Sequence, residues 1–377
     1  MTEKKIIPSE NVRKDKLASG GYLQQVNKER YDSLDGLRAL ACVGIVLMHI
    51  MANIAVKPTE SWLTTNVIGY TGNFVLLFMM VSAFSMSCGY YTRFKEGSIS
   101  LNSFYKKRYM RVLPFFALLV AVDVIITFAK SGFAMTQEMT AELYEAYADL
   151  TLAFGLMPDA DISVVGVGWF LGVIFLFYML YPFFTFLIDS KRRAWLVFAV
   201  AVGLYFAGKN YFQATKGISF GSTNILYCAP YFIVGGIVYL YRKALTEIFR
   251  KRIYRNVLSF VTIVYTMQFF FMPEYRIELV SGLTLYALWL LYAVAESCSL
   301  RKWTLLNNRA TAYLSGVSME VYLCHMMFFR VASMLHMERF IGNGDFLYVM
   351  TIIVTLLGAI CFSHVVKYKV FPRLKIK

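Results

Sequence analysis

Residues 34–49 read LDGLRALACVGIVLMH: Arg38 stands near the start of an otherwise apolar run, and His49 closes it. The two are eleven residues apart. Eleven residues make three helical turns plus about 20°, so the spacing predicts both side chains on one helix face. At 1.5 Å per residue they lie about 16 Å apart along the axis. A run this apolar reads as a membrane helix, with Arg38 at its boundary and His49 near mid-bilayer. A polar residue at that depth is costly and is by default a functional candidate.

Similar apolar runs recur along the chain. The 377 residues are 58% hydrophobic with mean hydropathy +0.55, above the roughly 45–50% apolar content of a soluble domain. The pattern predicts an all-α, polytopic membrane protein of ten spans, at about 37–56, 67–91, 112–130, 166–188, 194–208, 224–241, 256–272, 278–295, 314–335 and 346–366. The net charge of +15 is distributed by side rather than by patch. Alternate connections hold 31 of the 38 Lys and Arg residues. This is the positive-inside pattern, so the expectation is a multi-pass protein of a bacterial plasma membrane with both termini cytoplasmic. It argues against a nucleic-acid partner and leaves membrane lipids as the surroundings of the basic loops.

The organisation expected is a hydrophilic cytoplasmic tail over residues 1–33 and one transmembrane domain over 34–377. The tail has no apolar core of the kind a signal peptide needs. Residues 131–165 form the longest non-cytoplasmic connection, and 136–156 within it predict a helix against the outer face. Residues 92–111 read as a cytoplasmic segment leading to the third span, with Pro114 in that span's first turn. The six cysteines show neither metal nor disulfide spacing and read as packing residues. No metal is expected.

Three ionisable groups on three rising spans fall at similar depth: His49, Asp123 and His325. Glu320 is a turn and a half below His325 but about 140° around the helix. Tyr322, three residues before His325, and Asn53, four after His49, are placed to hydrogen-bond the neighbouring imidazole. A histidine without metal-ligand spacing suits proton transfer. Lys107, Arg108 and Arg111 cluster at the cytoplasmic end of span 3 and could hold phosphates, or simply anchor the helix at the headgroups.

These residues resemble the acyltransferase-3 family of integral membrane acyltransferases. Arg38 and His49 match its arginine–histidine signature. Phe78-Met79-Met80-Val81-Ser82-Ala83-Phe84, Arg108-Tyr109-Met110-Arg111-Val112-Leu113-Pro114, Trp169-Phe170-Leu171 with Phe177-Tyr178 and Pro182, and Ser318-Met319-Glu320-Val321-Tyr322-Leu323-Cys324-His325 resemble further family elements, in family order. Ala83 stands where the family usually has glycine, and Ile174 where many members have Glu or Gln. The resemblance implies transfer of an acyl group, most often acetyl, from cytosolic acyl-CoA to a hydroxyl of a cell-surface polysaccharide or lipid-linked sugar. On this reading Lys107, Arg108 and Arg111 hold the CoA phosphates, and Arg38 lies between them and the buried base. His49 is the general base or a transient acyl carrier. Trp169, Asp123, Tyr322 and His325 are the candidates for contact with the acceptor. The rival reading is a proton-coupled transporter of a sugar or polysaccharide, with His49, Asp123, Glu320 and His325 as its relay.

Overall fold

The computed structural model describes residues 30–157, 164–217, 220–299 and 304–374. Of the expected tail, residues 1–29 lie outside this set, as do 158–163 of the long connection. From Tyr31 onward the chain forms one compact unit. Among the described residues the secondary structure is entirely helical. The principal helices are α1 (Ser33–Asn53), α2 (Phe74–Met86), α3 (Leu101–Lys130), α4 (Gln137–Thr151), α5 (Trp169–Leu187), α6 (Lys191–Ala207), α7 (Ile225–Arg250), α8 (Arg252–Phe271), α9 (Glu278–Ser297), α10 (Arg309–Met334) and α11 (Gly344–Val365).

Eight helical stretches are long and apolar enough to cross a membrane. They correspond to α1, α2 with its flanking turns, α3, α5, α6, α7, α9 and α11. The other two expected spans are helices as well. α8 and α10 have 20 and 26 residues, enough to reach about 30 Å and 39 Å, but are more polar along their length. In α8 the polarity faces inward. Thr262 is buried, while Val257, Phe260, Ile263 and Met267 are exposed.

The short fifth span extends into its flank, because a π-helical turn continues α6 through Gly208–Gln213. The helix expected at 136–156 forms as α4, capped by the Thr136 side chain and stopped where Leu152 turns left-handed at φ 57°. The reading of 92–111 as a segment leading into span 3 is corrected. Ser100 caps a 30-residue helix beginning at Leu101, so Arg108 and Arg111 are helical. Pro114 is therefore well inside α3 and not in its first turn. Lys and Arg are good helix formers, so charge marks the headgroup depth rather than the helix end.

α1 is the hub. It packs on α2, α9, α10 and α11, and on the tight turn Ile68–Asn73 that precedes α2. Leu37, Cys42, Ile45, Val46 and Ile50 are fully buried along it. In a membrane the drive for such contacts is close packing, and small residues permit it. A Cβ on Gly36 would overlap the backbone of Leu306, and one on Gly235 in α7 would overlap the Met80 carbonyl of α2. Gly203 in α6 has nothing within 4 Å of the equivalent position. Gly235→Val is therefore expected to cost at least about 1–3 kcal/mol through overpacking, while Gly203→Ala leaves stability unchanged or slightly raised. Thermal unfolding of the two variants in detergent checks this. Equal midpoints would refute the close approach of α7 to α2.

Candidate active site on α1 and α10

Three contacts climb the seam between α1 and α10. Ser315 Oγ donates to Asp35 Oδ1 at 2.9 Å. Cys42 Sγ lies 3.4 Å from the Ser318 carbonyl oxygen. His49 Nδ1 and His325 Nε2 are 2.9 Å apart. On α1 these positions recur every seven residues, the spacing by which one helix keeps a single face toward a neighbour. Residue numbers rise together on both helices, so they run parallel. His49 is half-buried and His325 fully buried. Their rings meet edge to edge, with 5.0 Å between centroids and 18° between planes.

The hydrogen positions of this pair follow from its third member. His325 Nδ1 is 2.5 Å from the Tyr322 carbonyl oxygen. A carbonyl can only accept, so Nδ1 of His325 carries the hydrogen. In the neutral imidazole its Nε2 is then a lone pair, and His49 Nδ1 must donate to it. With both rings neutral, this leaves His49 Nε2 as an unprotonated nitrogen, the atom needed for proton abstraction or nucleophilic attack.

Arg38 is braced at the other end of α1. Nη1 donates to Asp35 Oδ1 at 3.1 Å and Nη2 to Ser85 Oγ of α2 at 2.6 Å. Its electrostatic neighbours besides Asp35 are Arg111 and Tyr178. Arg108, one turn before Arg111 on α3, donates to the Tyr90 hydroxyl at 2.6 Å. Its guanidinium lies 4.9 Å from the Tyr90 ring centre and 5.8 Å from that of Tyr178. Tyr90 is in a π-helical turn, Ser87–Tyr91, directly after α2; such turns often occur at functional sites. Arg108 Nε is buried without a partner. Thus α1, α3 and α5 bring Arg38, Arg108 and Arg111 around Tyr178, with exposed Lys107 next along α3.

The remaining candidates divide. Tyr322 belongs with the histidines, 5.9 Å from the His325 ring. Its hydroxyl donates not to an imidazole but to the Val167 carbonyl at 2.8 Å, pinning the turn that opens α5. Likewise Asn53 bonds the backbone carbonyl of His49 and not its ring. Half-buried Trp169 follows that pinned turn and meets Phe170 edge-on, and Phe170 packs against Tyr322. Asp123 stands apart, 2.9 Å from Arg330. These two line a polar cavity of about 400 Å³ with Lys130, Glu142 and Glu145 of α3 and α4. Glu320 is nearly fully buried and ion-paired to Lys367 at 2.6 Å. The sequence reading gave no site role to Asp35, Ser85, Tyr90 or Tyr178. Two of them sat inside quoted elements, Asp35 beside Arg38 and Tyr178 after Phe177; Ser85 directly follows the quoted Phe84.

The match of this sequence to known proteins is broad in family terms and narrow in individual ones. The acyltransferase domain family (Acyl_transf_3) matches residues 31–366. O-acetyltransferase OatA of Staphylococcus aureus, in strains NCTC 8325 / PS 47 and COL among others, is 32% identical over 107 residues. That stretch is 28% of this chain and 15% of the relative, so the chain matches only a small part of that protein's length. No solved structure matches the chain. The family match spans nearly all of the helical bundle, and this chain is a multi-pass membrane protein that belongs to the acyltransferase-3 family.

Proposed function

We propose that this chain is a membrane O-acyltransferase that moves acetyl from cytosolic acetyl-CoA to a hydroxyl of a cell-surface polysaccharide or lipid-linked sugar. The observation that carries the reading is the hydrogen-bonded series His49, His325, Tyr322 carbonyl, which with both rings neutral leaves His49 Nε2 unprotonated. The family assignment and the partial relative, an O-acetyltransferase, support acyl, and specifically O-acetyl, transfer. The lysine and arginine distribution supports a plasma membrane with both termini cytoplasmic.

The residues at the Arg38 end fit a phosphorylated donor. The orphan Nε of Arg108 is a buried donor of the kind a phosphate oxygen satisfies. Arg108, Arg111 and Lys107 would hold the CoA phosphates, and Arg38 would guide the arm toward His49, about 16 Å up the same helix. The donor supplies an activated thioester. His49 Nε2 takes the proton from the acceptor hydroxyl as its oxygen bonds the acyl carbon. The carbon–sulfur bond breaks, and His49 returns the proton to the departing thiolate. His325 positions His49 and shares its positive charge meanwhile. The acceptor would approach through the Asp123–Arg330 cavity, since Arg330 is five residues, or about 7.5 Å, beyond His325 on α10, with Trp169 and Tyr322 shaping its inner wall.

The relay that a proton-coupled transporter needs finds little support. Glu320 and Asp123 are each ion-paired to their own cation, Lys367 and Arg330, and only the two histidines meet. Dependence on acyl-CoA separates the readings. In inverted vesicles containing the acceptor, His49→Ala is expected to lower acetyl transfer by about 10²–10⁴-fold. Equal transfer would remove His49 from the chemistry. Incubation with labelled donor and no acceptor should leave the protein unlabelled; label on His49 would replace the base by a transient acyl carrier.

His325 gives a second test. His325→Phe removes the acceptor for His49 Nδ1–H and should lower kcat by about tenfold or more with little change in donor KM, whereas His325→Gln, which can still accept, should restore much of it. Equal losses in both would make the role merely one of packing. Arg108→Ala should instead raise donor KM by about 10–100-fold, the worth of one charge-assisted hydrogen bond, and leave kcat largely unchanged.

A further inference from the structure

A second cavity, of about 480 Å³, lies where α7, α8 and α9 meet. Arg250, Arg252, Arg255, Ser259, Tyr292 and Glu296 are on its walls. It is separate from the Arg38–Arg108 group, which is built on α1, α3 and α5. Three arginines and one carboxylate are thus on one cavity. Arg255 spends Nη1 on the carbonyls of Phe249 and Arg250, at 2.6 and 3.1 Å, which fixes its remaining donors. Arg250 pairs with Glu247 in an exposed contact, the two side chains being 70% and 65% accessible, and such a pair is readily given up. Glu296 lies beside Tyr292, one turn earlier on α9, and its Oε2 is buried without a partner. The cavity thus offers a cluster of anion-binding donors beside one orphan acceptor.

We infer that this cavity binds a phosphate ester that carries a neighbouring hydroxyl or amine: the arginines take the phosphate, and Glu296 Oε2 accepts from the donor group. Two sources share that chemistry, a phospholipid headgroup and a soluble phosphorylated molecule. The cavity lies at the turn between two helices in the Arg-rich stretch 242–255, where basic pockets between membrane helices meet headgroups.

The test uses the full chain in detergent. Native mass spectrometry measures retention of phosphatidylglycerol, phosphatidylethanolamine and phosphatidylcholine. A parallel thermal-shift titration uses adenosine 3′,5′-bisphosphate. The expected result is retention of phosphatidylglycerol or phosphatidylethanolamine over phosphatidylcholine by about tenfold, the worth of one charge-assisted hydrogen bond, and a fall of about tenfold or more in retention of all three lipids in the double variant Arg250→Gln/Arg252→Gln. Glu296→Leu, which cannot accept, should abolish the preference over phosphatidylcholine while phosphate binding persists. A bisphosphate shift lost in the arginine variant, without lipid preference, assigns the site to a soluble phosphate. The inference is overturned if neither probe is favoured, or if the arginine variant retains both like wild type. An unchanged headgroup preference in Glu296→Leu overturns the role of Glu296.

Discussion

The hydrogen shared between His49 and His325 sets the terms for the rest of the bundle. At 2.9 Å between nitrogens only one of the two can present a hydrogen, so the pair tolerates neither a sliding helix nor a rotated ring. The register is enforced lower down, by Cys42 against Ser318 and Asp35 against Ser315. Both are modest contacts. Their value is positional: spaced by seven along α1, they hold one face of that helix on α10 from end to end. The Thr71 hydroxyl, donating at 2.5 Å to the Gly44 carbonyl, ties the turn before α2 to another side of the same helix.

Charge is distributed unevenly along α1, and its partners explain how. Asp35 is shared between Arg38 and Ser315, so one carboxylate serves both the arginine and the α10 seam. Arg108 is held differently, by a tyrosine hydroxyl and two aromatic faces. Such partners orient a guanidinium without neutralising it. With Arg111 nearby, the cluster has more positive charge than its own carboxylates cancel. Higher in the bundle the pattern reverses. Asp123 and Glu320 have each found a cation, and the histidines have each other.

What was legible in the sequence is what helix geometry fixes locally. The common face of Arg38 and His49 needs only 100° and 1.5 Å per residue, and the continuous helix Ser33–Asn53 provides them. The depths of His49 and His325 followed by the same arithmetic. Their contact did not, because azimuth between helices 276 residues apart is a packing outcome. The misplaced start of α3 has another cause. Lys106, Lys107 and Arg108 read as the segment before the span because they are charged, yet they lie inside the helix that begins at Leu101. Tyr322 was placed beside His325 correctly, but the bond expected from its hydroxyl to the imidazole does not form, since the Val167 carbonyl it bonds lies on an unrelated turn. Tyr90 was hidden by a π-helical turn whose phase no apolar periodicity signals.

An imidazole as the partner of His49 has a consequence that a carboxylate would not. In a triad the carboxylate presents a fixed negative charge to the far side of the histidine. His325 presents a lone pair instead, and its own hydrogen is already committed to the Tyr322 carbonyl. If His49 gains a proton at Nε2, the hydrogen between the rings can move to His325, and the positive charge is spread over two hydrogen-bonded rings without either leaving its place. Nothing has to rotate for the proton to return. A reaction that takes a proton from an alcohol and gives it to a thiolate needs that reversibility, because the base must finish in the state in which it began. Glu320, a turn and a half below His325 and about 140° around α10, is kept by Lys367 and leaves the two rings to each other.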